Sequence, residues 1–214
     1  MDIFLLILEL IGTVAFSASG AMTGLRKGMD IFGVTVLGVT TAVGGGILRD
    51  VLLGITPPNA FRNPLYAIVA IGTAIICFIP AMQRFFVRNQ RRYDQCLLVM
   101  DSIGLGVFTV MGICIAQECA PHFNAFLLTF VGMITGVGGG IMRDMLAGNT
   151  PYIFVRHVYA CASLAGALVC VYLWRIVPGT WAMLAGLAVV LLLRYLAAHF
   201  RWNLPKAHPE LYLP

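Results

Sequence analysis

Val43-Gly44-Gly45-Gly46-Ile47-Leu48-Arg49-Asp50 returns ninety-four residues later as Val137-Gly138-Gly139-Gly140-Ile141-Met142-Arg143-Asp144. The match runs on through Leu52, Gly54, Thr56, Pro57 and Arg62, which recur as Leu146, Gly148, Thr150, Pro151 and Arg156. From Val43 to Arg62, 12 of 20 positions are identical at this one offset. A glycine triplet followed by an Arg-Asp pair, repeated at fixed spacing inside apolar sequence, marks an internal duplication.

The setting of the motif decides the class of protein. The chain is 60% hydrophobic and 11% charged, with a mean hydropathy of +0.90. A soluble domain carries about 25% charged residues, so this composition belongs in a bilayer. A net charge of +5 without any aromatic-basic module points to loop arginines facing anionic lipid and excludes a nucleic-acid surface. Six cysteines, none in a C-x-x-C pair, read as small core residues in place of a disulfide or zinc framework. Asp2 and Glu9 stand where a cleavable signal peptide would carry basic charge.

A membrane helix needs about 20 apolar residues. Seven spans are expected, near 2–22, 31–53, 64–84, 95–116, 123–146, 153–174 and 178–200, divided by short connectors holding Gly28, Pro57, Pro121, Pro151 and Pro178. The duplication reaches the first span of each half. Glu9, Gly12, Phe16, Ser17 and Gly20 align with Asp101, Gly104, Phe108, Thr109 and Gly112 at an offset of 92. The expected fold is therefore an all-α polytopic membrane protein of two three-helix repeats plus one extra helix. Residues 1–90 form the first repeat and 91–176 the second. The seventh helix spans 177–200, and 201–214 make a cytoplasmic tail. Three spans per repeat force the second copy to enter from the opposite face, giving an inverted repeat.

Charged connectors predict the orientation. With the N-terminus outside, nine basic residues lie inside (Arg26, Lys27, Arg84, Arg88, Arg91, Arg92, Arg156, Arg201, Lys206), against Arg62 and Arg175 outside. The positive-inside rule favours this arrangement. Trp174, Trp181, Trp202 and Tyr93 read as interfacial belt residues, and Arg194 as a side chain reaching for the inner headgroups.

Gly44, Gly45, Gly46, Gly138, Gly139 and Gly140 fall near the middles of the second and fifth spans. Each glycine weakens a helix by about 1 kcal/mol relative to alanine. Two readings follow: a bend that opens a polar path near the bilayer midplane, or close helix contact through small residues. Arg49, Asp50, Arg143 and Asp144 lie about six residues beyond the bilayer midplane. Neighbouring residues point about 100° apart on a helix, so each is expected to find its partner on another helix, as a gate or as a structural latch. Glu9 and Asp101 are the symmetric acids available to them. Thr40, Thr41, Thr135, Ser17 and Thr109 supply the remaining small polar groups. No catalytic triad, phosphate loop or metal-ligand spacing is present, so the sequence reads as that of no enzyme and calls for no cofactor.

With its doubled Gly-Gly-Gly-x-x-Arg-Asp motif in a three-plus-three-plus-one chain, the sequence resembles the bacterial branch of the trimeric intracellular cation (TRIC) channel family. That family is also grouped as the UPF0126 inner-membrane family with a glycine-transporter label. The resemblance covers about residues 4–200. It implies a homotrimer in the bacterial inner membrane, with one pore per subunit through glycine-kinked second and fifth helices. The pore would pass a monovalent cation such as potassium, with membrane lipids as the other partners. The alternative it leaves open is a secondary transporter for a small solute such as glycine. The basic lipid-binding motif of the animal members is not found here.

Overall fold

The computed structural model describes residues 3–87, 89–119, 124–155 and 158–202. Arg88, Arg156 and Lys206 of the orientation count lie outside them, as do His122, His157, His208 and the tail from 203. Every regular element among the described residues is helical: α1 (Ile3–Arg26), α2 (Ile31–Leu52), α3 (Asn59–Arg62), α4 (Leu65–Phe78), α5 (Pro80–Val87), α6 (Gln90–Cys119), α7 (Ala125–Leu146), α8 (Tyr152–Val155), α9 (Tyr159–Leu173) and α10 (Gly179–His199).

Five of these, α1, α2, α6, α7 and α10, are long and apolar enough to cross a membrane, and α4 and α9 are shorter apolar helices. The expected third span, 64–84, stops early because Pro80 cannot continue a helix and holds Ile79 extended, at ψ 135°. The chain restarts there as α5. The expected sixth span, 153–174, is divided into α8 and α9, with Val158 in the left-handed region at φ 50°. The expected fourth span is longer than the composition indicated, because polar Gln90 to Asp94 extend α6 before its apolar run begins.

The chain is inside-out relative to a soluble domain, as a bilayer requires. Glu9, Arg49, Asp50, Asp101, Arg143, Asp144 and Arg194 are all buried, while Ile3, Ile7, Ile11 and Val14 form an exposed apolar stripe on α1.

Local signals explain the helix limits, and they recur in both halves. The Asp30 side chain accepts the Gly33 N–H at 2.7 Å, and ninety-four residues on Asn124 accepts the Leu127 N–H at 2.8 Å. At the other ends, Gly54 and Gly148 take φ 71° and 65°, as a left-handed cap demands. The next residue reaches back in each case, Ile55 N to Asp50 O and Asn149 N to Asp144 O, both at 2.8 Å.

Packing is arranged around two central contacts. Helix α1 lies against α2, α4 and α6, while α6 lies against α7, α9 and α10. The halves meet where α2 crosses α7 and where Phe16 of α1 stacks on Phe108 of α6, ring centroids 5.3 Å apart at 28°. Phe16 and Phe108 are equivalent residues of the duplication.

Candidate functional site

Helices α2 and α7 run as unbroken helix through both glycine triplets. The three glycines of each triplet meet different surroundings. A Cβ on Gly45 would drive into the main-chain oxygen of Thr135, and one on Gly139 into that of Thr41. Thr41 and Thr135 are themselves equivalent residues, so the contact is reciprocal, as a two-fold relation between the halves demands. The outer pair repeats the pattern against side chains. A Cβ on Gly44 would sit 2.5 Å from Met142 Sδ, and one on Gly138 2.8 Å from Leu48 Cδ1. Gly46 and Gly140 instead face polar groups, with Arg49 Nη2 3.6 Å from the Cβ position of the first.

Both arginines pair with their sequence neighbours, against the expectation, and Arg143 also finds the expected partner, Asp101, on another helix. Arg49 Nε donates to its neighbour Asp50 Oδ1 at 2.8 Å, and Arg143 Nε donates to Asp144 Oδ1 at 2.8 Å. The 100° divergence of adjacent Cβ atoms is overcome by the length of the arginine stem, which folds back along the helix. The second carboxylate oxygen then ties down the following connector. Asp50 Oδ2 accepts the N–H of Asn59, the first residue of α3, at 2.6 Å, and Asp144 Oδ2 accepts that of Tyr152, the first of α8, at 2.9 Å. Each Arg-Asp pair is thus a knot between the end of a central helix and the start of the next.

Beyond the knots the two ends diverge. At the second-half end, Arg143 Nη1 donates to Asp101 Oδ1 at 2.5 Å and to Ser19 Oγ of α1 at 2.6 Å. Arg194 joins this cluster: it is 2% exposed, donates to Ser102 Oγ at 3.2 Å and lies 4.9 Å from the Tyr159 ring centroid. The expectation that Arg194 reaches the headgroups is therefore corrected. A buried acid, Asp101, lies within ion-pair reach and outcompetes the distant interface. Tyr93 is likewise buried, stacked under Arg26 at 4.7 Å, and is no belt residue, whereas Trp181 and Trp202 are exposed.

At the first-half end, Glu9 accepts the Tyr66 hydroxyl proton, and the ion pair of Arg49 is with Asp50. A cavity of 40 Å³ opens there beside Glu9, Thr13, Gly46, Arg49, Tyr66 and Phe108. That is room for a water or a small cation. A larger cavity of 410 Å³ lies beyond Asp144, lined by Thr23, Arg26, Lys27, Tyr93 and Tyr152. The two share no lining residue.

Thr41, Thr135, Ser17 and Thr109 are satisfied internally. Thr41 and Thr135 donate to the carbonyls of Leu37 and Val131 at 2.6 Å, Ser17 donates to Ala70 O at 2.6 Å, and Thr109 Oγ1 bonds Ser163 Oγ at 2.7 Å. Sequence reasoning did not single out Tyr66, Tyr159, Ser19 or Ser102. Their only signal is polarity inside apolar runs. All six cysteines are free, and among the described residues no cluster of His, Cys, Asp and Glu could hold a metal.

A family profile described as "Glycine transporter" matches residues 6–81 and 98–175, one segment in each half. The UPF0126 inner membrane protein YadS of Escherichia coli (strain K12) is 38% identical over 201 residues, 92% of this chain and 93% of that protein. A UPF0126 membrane protein of Deinococcus radiodurans is also 38% identical, covering 92% and 89% of the two chains. Among solved structures, a TRIC cation channel aligns with a TM-score of 0.83 at 38% identity, over 94% of this chain and 96% of that one. The TRIC trimeric intracellular cation channel orthologue from Rhodobacter sphaeroides aligns with a TM-score of 0.84 at 34% identity, over 94% and 100%.

Proposed function

Since this chain belongs to the UPF0126 membrane-protein family and has the fold of the TRIC cation channels, we propose that it is a potassium-type monovalent cation channel. It is a multi-pass membrane protein and not an enzyme. In this reading seven spans (α1, α2, α4, α6, α7, α9, α10) form two inverted three-helix repeats plus one helix. The protein resides in the bacterial inner membrane with the N-terminus outside and the C-terminus cytoplasmic. Three copies assemble, and each carries its own path along α2 and α7.

The observation that carries the proposal is the reciprocal crossing at Gly45 and Gly139 with a buried polar cluster at either end. Lipid penalises buried charge unless it faces an interior or aqueous path, and here seven charged residues are buried, four of them on α2 and α7 and the others on α1, α6 and α10. The six triplet glycines hold the crossing and the surfaces beside it. The two cavities share no lining residue, and Phe108 of the Phe16–Phe108 stack walls the first, so we take this as the closed form of such a path. Asp50 and Asp144 act as structural knots, and Glu9 is the acid available to an entering cation.

A second reading, a glycine transporter, is favoured by the description of the matching family and by cavities that open at both ends but do not join. Purified protein in liposomes separates the two. A potassium flux that rises with driving force without saturating supports the channel. Saturable uptake of labelled glycine without potassium flux would replace it with the transporter.

A further inference from the structure

Three buried side-chain atoms have no hydrogen-bonding partner in the second-half cluster: Asp101 Oδ2, Arg143 Nη2 and Tyr159 Oη. Their residues are at most 2% exposed. An unsatisfied buried polar group costs about 1–3 kcal/mol, more when charged, so three together call for a ligand. They converge on one place. Arg143 Nη1 and Asp101 Oδ1 are already joined at 2.5 Å, which keeps the remaining nitrogen and oxygen of that pair in one neighbourhood without a bond between them. Gly140 lets the third atom approach: the position its Cβ would occupy is 2.8 Å from Tyr159 Oη and 3.8 Å from Arg143 Nη2. One molecule that accepts two hydrogen bonds and donates one satisfies all three atoms. Water does this, and about three hydrogen bonds are usual for a buried water.

The same cluster contains a second buried cation, for which the first-half cluster shows no counterpart among the described residues. Arg194 Nη2 lies 3.9 Å from Asp101 Oδ2, an ion pair beyond hydrogen-bonding distance. Asp101 and Asp144 are therefore balanced by Arg143 and Arg194. At the other end, the ion pair among the described residues is Arg49 with Asp50, and Glu9 takes the Tyr66 hydroxyl beside an open cavity. The helix that supplies Arg194, α10, has no counterpart in the duplication.

We propose that Asp101, Arg143 and Tyr159 bind one ordered water, and that this water and Arg194 together lock Asp101 against cations. The Asp101 end is then the closed end of the path and the Glu9 end the cation-accepting one. The water site rests on geometry alone, while the lock rests on the channel reading.

The test has two arms. The first is an experimental structure of the purified protein in which ordered waters are resolved, with Tyr159→Phe beside it. Density within hydrogen-bonding distance of all three atoms, weakened or displaced in the variant, is the expected result. A direct bond from Tyr159 to Asp101, or an empty site, overturns it. The second arm is potassium flux in liposomes for Arg194→Met, which keeps the aliphatic stem and makes the second cluster electrostatically like the first. A several-fold rise in flux is expected, with Arg194→Lys staying near wild type and Glu9→Gln falling. Unchanged or lower flux from an assembled Arg194→Met protein overturns the lock, and should that variant fail to assemble, Arg194→Gln is judged by the same result. Absence of flux in every variant, wild type included, removes the channel reading and the lock with it, while the first arm still decides the water.

Discussion

Alanine at Gly45 and Gly139 is the most direct perturbation of the helix crossing. The added methyl at each site meets a main-chain carbonyl oxygen, that of Thr135 or of Thr41, well inside the 3.0 Å that real Cβ atoms respect. A flexible side chain could turn away, but a helix carbonyl cannot, so α2 and α7 must separate. Overpacking of this kind costs about 1–3 kcal/mol per site. Alanine returns about 1 kcal/mol of helix propensity, which leaves each single variant destabilised by up to about 2 kcal/mol. The two clashes lie on one crossing and are relieved by one movement, so the double variant should lose less than the sum of the singles. Thermal unfolding in detergent, with size-exclusion profiles alongside, should show a clear drop for each variant and a sub-additive drop for the pair. Gly72→Ala in α4 is the control: nothing lies within 4 Å of its Cβ position, and its melting temperature should be unchanged or slightly raised. A Gly45→Ala/Gly139→Ala protein that melts with wild type would refute the close crossing and restore the view that these glycines serve chiefly to bend the helices.

Gly46→Ala should leave stability intact, since its nearest neighbour is Arg49 Nη2 at 3.6 Å, yet lower liposome flux by narrowing the 40 Å³ cavity; equal flux would remove that cavity from the path. Asp50→Ala should destabilise the protein by about 3–5 kcal/mol by leaving Arg49 buried and unpaired, and a melting temperature near wild type would show that the knot is dispensable. Asp30→Ala and Asn124→Ala should each cost about 1 kcal/mol through loss of an N-cap, with nearly equal shifts because the two caps are equivalent. A reporter fused at Pro214 should be cytoplasmic and cross-linking in detergent should give trimers; a periplasmic reporter or a clean monomer would overturn orientation or assembly respectively.

The duplication made the architecture legible because it survives in residues whose roles depend on backbone geometry. Asp30 and Asn124 cap helices, Gly54 and Gly148 end them, and Gly45 and Gly139 admit a facing carbonyl. Such positions tolerate few substitutes, so both copies still display them. The limits of the shorter helices were less legible. Hydropathy does not register that Pro80 stops α4, because Phe78 and Ile79 continue the apolar run across the break. The differences between the two ends were also hidden. Glu9 and Asp101 are equivalent in sequence, but one takes a tyrosine hydroxyl and the other two arginines. One of the partners that distinguish them, Arg194, comes from the helix outside the repeat.

The glycine triplet itself sets the limit of what spacing alone can tell. Three identical letters predict one property, a weak and narrow stretch of helix. On the folded chain each successive glycine is turned by about 100°, so the three look in different directions. Gly45 and Gly139 meet opposing backbone and fix how closely the halves approach. Gly44 and Gly138 receive Met142 and Leu48, which fill the flanks of that crossing. Gly46 and Gly140 face the polar clusters, where the missing side chain leaves room beside Arg49 at one end and admits the Tyr159 hydroxyl at the other. Packing and permeation are therefore not rival explanations of one motif. The middle glycine of each triplet serves the first, and in the proposed channel Gly46 borders the cavity that would serve the second. Substitution one residue at a time is what separates them.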